Sequence, residues 1–238
     1  MELKILKYGN LAGSPDIKTI MHDLKYDTAA VDQFWDHTHA IKLAFGLDGR
    51  STSALLLEPD CPELFPALVD CSFLSADPAT HGPASIDMAL AAIRAAGVDP
   101  AHIKAHFVTH PHGDHMDPRL RQALPGALFL AHPDSGIPAN PIDVKSLPDS
   151  MAVINTPGHG YQHCSYIVDL KQHDLSVCLA GDLIMSHAHF LTLDHPTAFA
   201  DPQAGAASVR AVLNALAQRH TKYKMILPGH DIPFFVNP

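Results

Sequence analysis

Three imidazoles and one carboxylate fall within six consecutive residues, His110-Pro111-His112-Gly113-Asp114-His115, directly after an apolar run at 103–108. No other stretch constrains the fold as strongly. If 105–109 is a strand, the chain leaves its sheet at His110, and the two-residue period lets His110 and His112 point to the same side. Gly113 then permits a tight turn, so that Asp114 and His115 can aim at a second point nearby. Three more fragments follow in order, each after an apolar, strand-like run: Thr156-Pro157-Gly158-His159, Ala180-Gly181-Asp182 and Pro228-Gly229-His230. In a chain with 18 histidines the plain alternative is a set of unrelated surface residues. That alternative does not account for imidazoles and carboxylates recurring where strands end. Several strand ends that deliver His or Asp to one edge are what a polynuclear metal site requires.

The rest of the chain supplies the sheets. A strand is expected at 3–8, followed by an irregular N-terminal arm to residue 39. That arm could cover the mouth of the site or make a homodimer contact. Segments 40–45, 52–57 and 65–70 read as short strands, with Leu47-Asp48-Gly49-Arg50 as a hairpin turn between the first two. Residues 85–96 carry Ile86, Met88, Leu90 and Ile93 near helical spacing, with Ser85 as N-cap and Gly97 past the end. After the histidine-rich loop come a short helix at 118–124 and a strand at 127–131. The Pro-, Asn- and Asp-containing stretch 133–148 has no apolar period and reads as a seam. The second half repeats the plan, with strands at 151–155, 165–170, 176–180 and 224–227 and a helix at 204–219. Two sheet-plus-helix halves meeting face to face make an α/β, four-layer αβ/βα sandwich, taken as one domain over 1–238.

Composition narrows the partners. The formal net charge of −9 argues against nucleic-acid binding, which draws its affinity from Lys and Arg displacing counterions. There is no apolar run of membrane-spanning length, and charges at Glu2, Lys4 and Lys7 interrupt what a signal peptide would need as its apolar centre. A cytoplasmic protein acting on a small molecule is the expectation. Cys61, Cys71, Cys164 and Cys178 form no C-x-x-C pair and read as buried, reduced thiols.

The order H-x-H-x-D-H, then His159, then Asp182, then His230, resembles the metallo-β-lactamase-fold metallo-hydrolase superfamily, and in particular its compact single-domain, dinuclear members. The resemblance runs from about residue 40 to the end of the chain and fills all seven ligand positions. It implies that His110, His112 and His159 hold one ion, that Asp114, His115 and His230 hold a second, and that Asp182 bridges them. Two divalent metal ions are then the cofactor. Zinc is the first expectation, and manganese and iron are accepted by the same donors. A bridging hydroxide would attack an ester, lactone, thioester or phosphodiester, with Asp114 as the catalytic residue that orients it and passes a proton. Asp70 would orient the metal loop from behind, although Leu68-Val69-Asp70-Cys71-Ser72 departs from the family's Leu-Val-Asp-Thr-Gly. His187 and His189, shortly after Asp182, are further candidates for the pocket.

Within the superfamily, several subclasses fit poorly. The usual β-lactamases lack a bridging carboxylate, flavin-linked diiron reductases have Glu where this chain has His112, and glyoxalase II enzymes need a C-terminal extension. Only eight residues follow His230 here. The other readings are a mononuclear iron dioxygenase of the persulfide type, an endoribonuclease, and a non-catalytic metal-binding relative.

Overall fold

In a computed structural model, the structure describes residues 1–9, 51–73, 84–160, 162–191 and 201–238. The expected strand at 40–45 and most of the N-terminal arm lie outside the described residues. Two sheets carry the rest. The first has strand order β1 (Glu2–Lys7), β2 (Ser53–Leu57), β3 (Ala67–Val69), β4 (Ala105–Phe107), β5 (Leu128–Ala131) and β6 (Asn140–Pro141). Its first three strands pair antiparallel and β3 to β6 pair parallel. The second sheet contains β7 (Met151–Asn155), β8 (Cys164–Leu170), β9 (Leu175–Gly181), β10 (Tyr223–Pro228) and β11 (Phe234–Phe235), in the order β11-β10-β9-β8-β7. Only the β9–β10 pair is parallel.

Alternation along the strands builds three apolar layers. Ala54, Leu56, Ala67, Val69 and Phe107 from the first sheet meet Val153, Tyr166, Val168, Val177 and Leu179 from the second, which closes the core between the sheets. Leu55 and Leu68 point the other way, onto Ala89 and Ile93 of α1 (Ala84–Ala95) and Leu120 of α2 (Pro118–Ala123). Ile167, Cys178 and Ile226 likewise meet Val209, Val212 and Leu216 of α4 (Pro202–Ala217). The result is the four-layer αβ/βα sandwich. Strands covered on both faces are buried at nearly every position, which is why β2 and β8 are mostly apolar, with Ser53, Ser165 and Asp169 the exceptions, and do not alternate.

Several local details differ from the sequence reading. Ser85, expected as the N-cap, is the second residue of α1, and its hydroxyl accepts from Arg119. Gly97 does close that helix, at φ +86°, with its N–H on Arg94 O and the Val98 N–H on Ile93 O. The seam at 133–148 contains the two-residue strand β6, and residues after His230 add β11 to the edge of the second sheet. Residues 187–191 form a short helix, α3 (His187–Leu191). Among the described residues, no helix is long and apolar enough to cross a membrane.

Candidate metal centre

Every segment singled out in the sequence leaves the C-terminal end of a strand: Asp70 follows β3, the loop 110–115 follows β4, His159 follows β7, Asp182 follows β9 and His230 follows β10. Hydrogen bonds between the sheets lock these ends together. The Cys164 N–H donates to Thr109 O at 2.8 Å, the Tyr166 hydroxyl to Val108 O at 2.8 Å, and the Thr52 N–H to Gly229 O at 2.6 Å. The glycines of the Gly-Asp and Gly-His pairs are needed for this closeness. A Cβ on Gly229 would lie 2.1 Å from Asp182 Oδ1, and one on Gly181, at φ +55°, would lie 2.6 Å from Thr109 Oγ1.

The seven residues converge into two donor sets, His110, His112, His159 and Asp182 in one, and Asp114, His115 and His230 in the other. In the first, His159 Nε2 is 3.0 Å from His112 Nδ1 and 3.4 Å from Asp182 Oδ2, which is 3.7 Å from His110 Nε2. In the second, His230 Nε2 is 3.4 Å from both His115 Nε2 and Asp114 Oδ2, with His115 Nε2 3.8 Å from Asp114 Oδ2. Asp182 faces this set too: its Oδ1 is 3.0 Å from His115 Nε2 and 3.2 Å from His230 Nε2.

These separations fit a metal. Donors about 2.0–2.1 Å from a tetrahedral zinc sit about 3.3–3.4 Å from one another, the edge of the tetrahedron. Moreover, His110 Nε2 is fully buried with no hydrogen-bond partner among the described residues. A buried imidazole lone pair without a donor is costly unless a cation takes it.

The electrostatics agree. Burial disfavours an imidazolium at His115, yet Asp182, Asp114 and Asp70 overcome that and raise its pKa well above the ordinary value. Burial would lift the carboxyl of Asp182, but His115, His230 and His159 hold it well below the usual range. Burial pushes His110 well below the ordinary imidazole value and His159 down to about 3. The carboxylates therefore favour a positive charge between the two sets, which a bound cation would supply in place of a proton on His115, and burial keeps His110 and His159 of the first set neutral, as ligation requires.

Asp70 sets the tautomers. Its Oδ1 accepts from the Thr109 N–H at 2.7 Å, and its Oδ2 accepts from the Thr109 hydroxyl at 2.7 Å and from His115 Nδ1 at 2.8 Å. A hydroxyl that donates to Asp70 must accept from His110 Nδ1, 3.0 Å away. Both rings then carry their proton on Nδ1 and present Nε2 to the donor sets, one ring to each. Asp70 does this from a left-handed backbone at φ +57°, an unfavourable region for a residue with a Cβ.

His187 and His189 fall on α3, beside the turn that follows Asp182. The ring of His187 stacks on Phe234 with centroids 4.3 Å apart, and the backbone N–H of His187 donates to Asp231 Oδ2. His189 is buried, and its Nδ1 accepts from the Met185 N–H, so it braces the turn after Asp182. Other residues surround the cluster without having been assigned to it. Thr109 relays Asp70 to His110. His163 stacks on His110 at 5.1 Å, and its Nδ1 is 2.8 Å from the Thr156 hydroxyl. Asp231 ties α3 to the His230 turn. Adjacency to the ligand positions was the available signal for Thr109 and Asp231. The four cysteines are free and buried, and burial raises every thiol, Cys61 to about 11 and Cys71 and Cys164 to about 12, which argues against a thiolate nucleophile at neutral pH.

His112 is exposed and Asp114 partly so, whereas His110, His115, His159, Asp182 and His230 are buried.

Structural comparison agrees with this architecture. A candidate metallo-beta-lactamase from Thermotoga maritima is similar over 99% of both chains, with a TM-score of 0.60 at 17% identity. AidC, a dizinc quorum-quenching lactonase in complex with a product, N-hexanoyl-L-homoserine, aligns over 99% of this chain and 97% of its own, with a TM-score of 0.54 at 15% identity. The metallo-beta-lactamase FIM-1 from Pseudomonas aeruginosa, in its mono-zinc form, aligns over 78% of each chain, with a TM-score of 0.53 at 20% identity. No family model matches the chain, and no curated protein matches it. The chain has the metallo-β-lactamase fold, and a His/Asp cluster with metal-ligand geometry lies at one edge of its two sheets.

Proposed function

We propose that the protein is a dinuclear metal-dependent hydrolase acting on a small-molecule ester, lactone, thioester or phosphodiester. The observation that supports this reading most is the division of seven side chains into two donor sets that share Asp182. When bound, two divalent cations, zinc first among them, would polarise the scissile carbonyl or phosphoryl group and lower the pKa of a water from about 15.7 toward 7. Asp182 would hold the pair at one separation, with an oxygen toward each set. Asp70 and Thr109 would keep His110 and His115 in the tautomer that can ligate. Asp114, with its side chain 26% exposed, is the carboxylate of the cluster that reaches solvent, and it would take the proton from the nucleophile and deliver it to the leaving group.

A mononuclear dioxygenase is disfavoured because the second set, Asp114, His115 and His230, is complete and closely spaced. The dizinc lactonase among the structural relatives makes acyl-homoserine lactones a sensible first probe. The test is a panel of lactone, thioester, nitrophenyl ester and bis-nitrophenyl phosphate reporters with metal-replete protein. Hydrolysis of at least one reporter, lost in both Asp182→Asn and His112→Ala, is expected. Turnover that survives either substitution would reject the proposal.

A further inference from the structure

We infer that each donor set has one arm on its own backbone support, α4 beneath His159 of the first set and a pair of serines beneath Asp114 and His115 of the second, so that the affinity of either set can be weakened with little effect on the other. This rests on the dinuclear reading above. The first support acts on the turn that carries His159. Gly158, at φ +152°, lies against the backbone of α4: a Cβ there would sit 2.4 Å from Gly205 Cα and 2.7 Å from Gly205 N. Ser208 Oγ donates to Pro157 O at 2.7 Å, and the Asp201 N–H donates to Gly158 O at 3.2 Å. The helix is itself fixed to the second sheet by Val209, Val212 and Leu216. A turn held at both of the residues before His159 by a sixteen-residue helix has little freedom to drift.

The second support acts on the carbonyls just before His115. Ser72 Oγ donates to Gly113 O at 2.8 Å, and Ser51 Oγ donates to Asp114 O. Both serines are buried and belong to the first sheet's edge, one just ahead of β2 and one just after β3. Ser72 stands where the family motif has Gly, so the departure noted in the sequence supplies a clamp that a glycine could not make. These α4 bonds fall on Pro157 and Gly158 and the serine bonds on Gly113 and Asp114; the two arms share the 110–115 loop, in which His112 O accepts from the His115 and Met116 N–H groups. Asp70 and Asp182 serve both sets and are left intact in the test.

Outer contacts that orient metal ligands are worth about 10- to 100-fold in metal affinity. The experiment titrates metal-stripped protein with Co(II), following absorbance and calorimetry, with bound metal counted after gel filtration. His159→Ala and Asp114→Asn identify which binding step belongs to which set. Gly158→Ala should weaken the first set's step about 10- to 100-fold and leave the other within about 3-fold, whereas Ser72→Ala should do the reverse. Ser208→Ala, which removes one hydroxyl, carries the first arm if Gly158→Ala does not fold. Thermal unfolding of each variant checks the fold. Equal weakening of both steps in each variant, or loss of the same step in all of them, overturns separate supports while the dinuclear reading stands. A wild-type chain that takes up fewer than two ions overturns that reading and this inference with it.

Discussion

Asp70 concentrates more of the site's logic than any ligand does. One carboxylate receives three protons, from the Thr109 N–H, the Thr109 hydroxyl and His115 Nδ1, and so governs an imidazole in each donor set. Asp70→Asn keeps the volume but turns one acceptor into a donor, which opposes one of those three bonds. Metal affinity is expected to fall about 10- to 100-fold with the fold retained, as read by competition with a chromogenic chelator. An unchanged affinity would show that the tautomers are set elsewhere. The sequence placed Asp70 behind the loop but could not show that Thr109 completes the relay, since a threonine ending a strand is chemically ordinary until its neighbours are known. His106 supplies a different residue-scale test. It is buried on β4 with no hydrogen-bond partner for Nε2 among the described residues, and burial lowers its pKa to about 4. The unfolded chain, with an imidazole pKa of about 6.5, therefore binds the proton more tightly, and stability is lost as pH falls from about 6.5 toward 4. His106→Leu should lose about 2 kcal/mol less than wild type between pH 7 and pH 5, measured by urea unfolding. Equal losses in the two proteins would assign the acid limb to other groups.

At the scale of elements, the long strands and helices were legible because their apolar residues declare a period or an unbroken run. Val209, Val212 and Leu216 mark the buried side of α4, and β8 is buried throughout. The elements that escaped are β6 and β11, two residues each, and α3, five residues. Segments so short have no period to detect, and their backbones are fixed by neighbours: β6 by β5, β11 by β10, and α3 by Asp231. Ser85 shows the converse case, since a good capping residue is the second residue of a helix, where its hydroxyl accepts from Arg119 on α2. The outer helices are expected to stabilise the sheets without shaping the cluster directly where they touch only the outer layer. Ile93→Ala, a fully buried truncation between α1 and the first sheet, should cost about 2–5 kcal/mol in a denaturant melt with metal stoichiometry unchanged. Loss of metal from a folded Ile93→Ala protein would mean that strain from that layer reaches the loop.

Across the whole molecule, the fold brings five strand ends to one edge and joins the two sheets there through Thr109, Val108 and Gly229. The sequence announced the ligand residues because their types are rare in such density, but the route by which the sheets meet depends on backbone carbonyls, which no pattern of side chains records. The substrate is illegible for a related reason: pocket walls are built by loops, whose positions no apolar period records. The donor arrangement nonetheless narrows the chemistry. Six donors in two groups around Asp182, at separations that suit a metal, support the proposed pair of cations, and because cations bind only the folded arrangement, they should also raise its thermal stability. The most direct measurement is elemental analysis of protein stripped by chelator, reloaded with zinc and passed through a desalting column, in parallel for wild type and Asp182→Asn. Two ions per chain are expected in the wild type, with both occupancies diminished in Asp182→Asn. A wild-type chain retaining no metal, or an Asp182→Asn chain retaining as much as wild type, would contradict the shared-carboxylate centre.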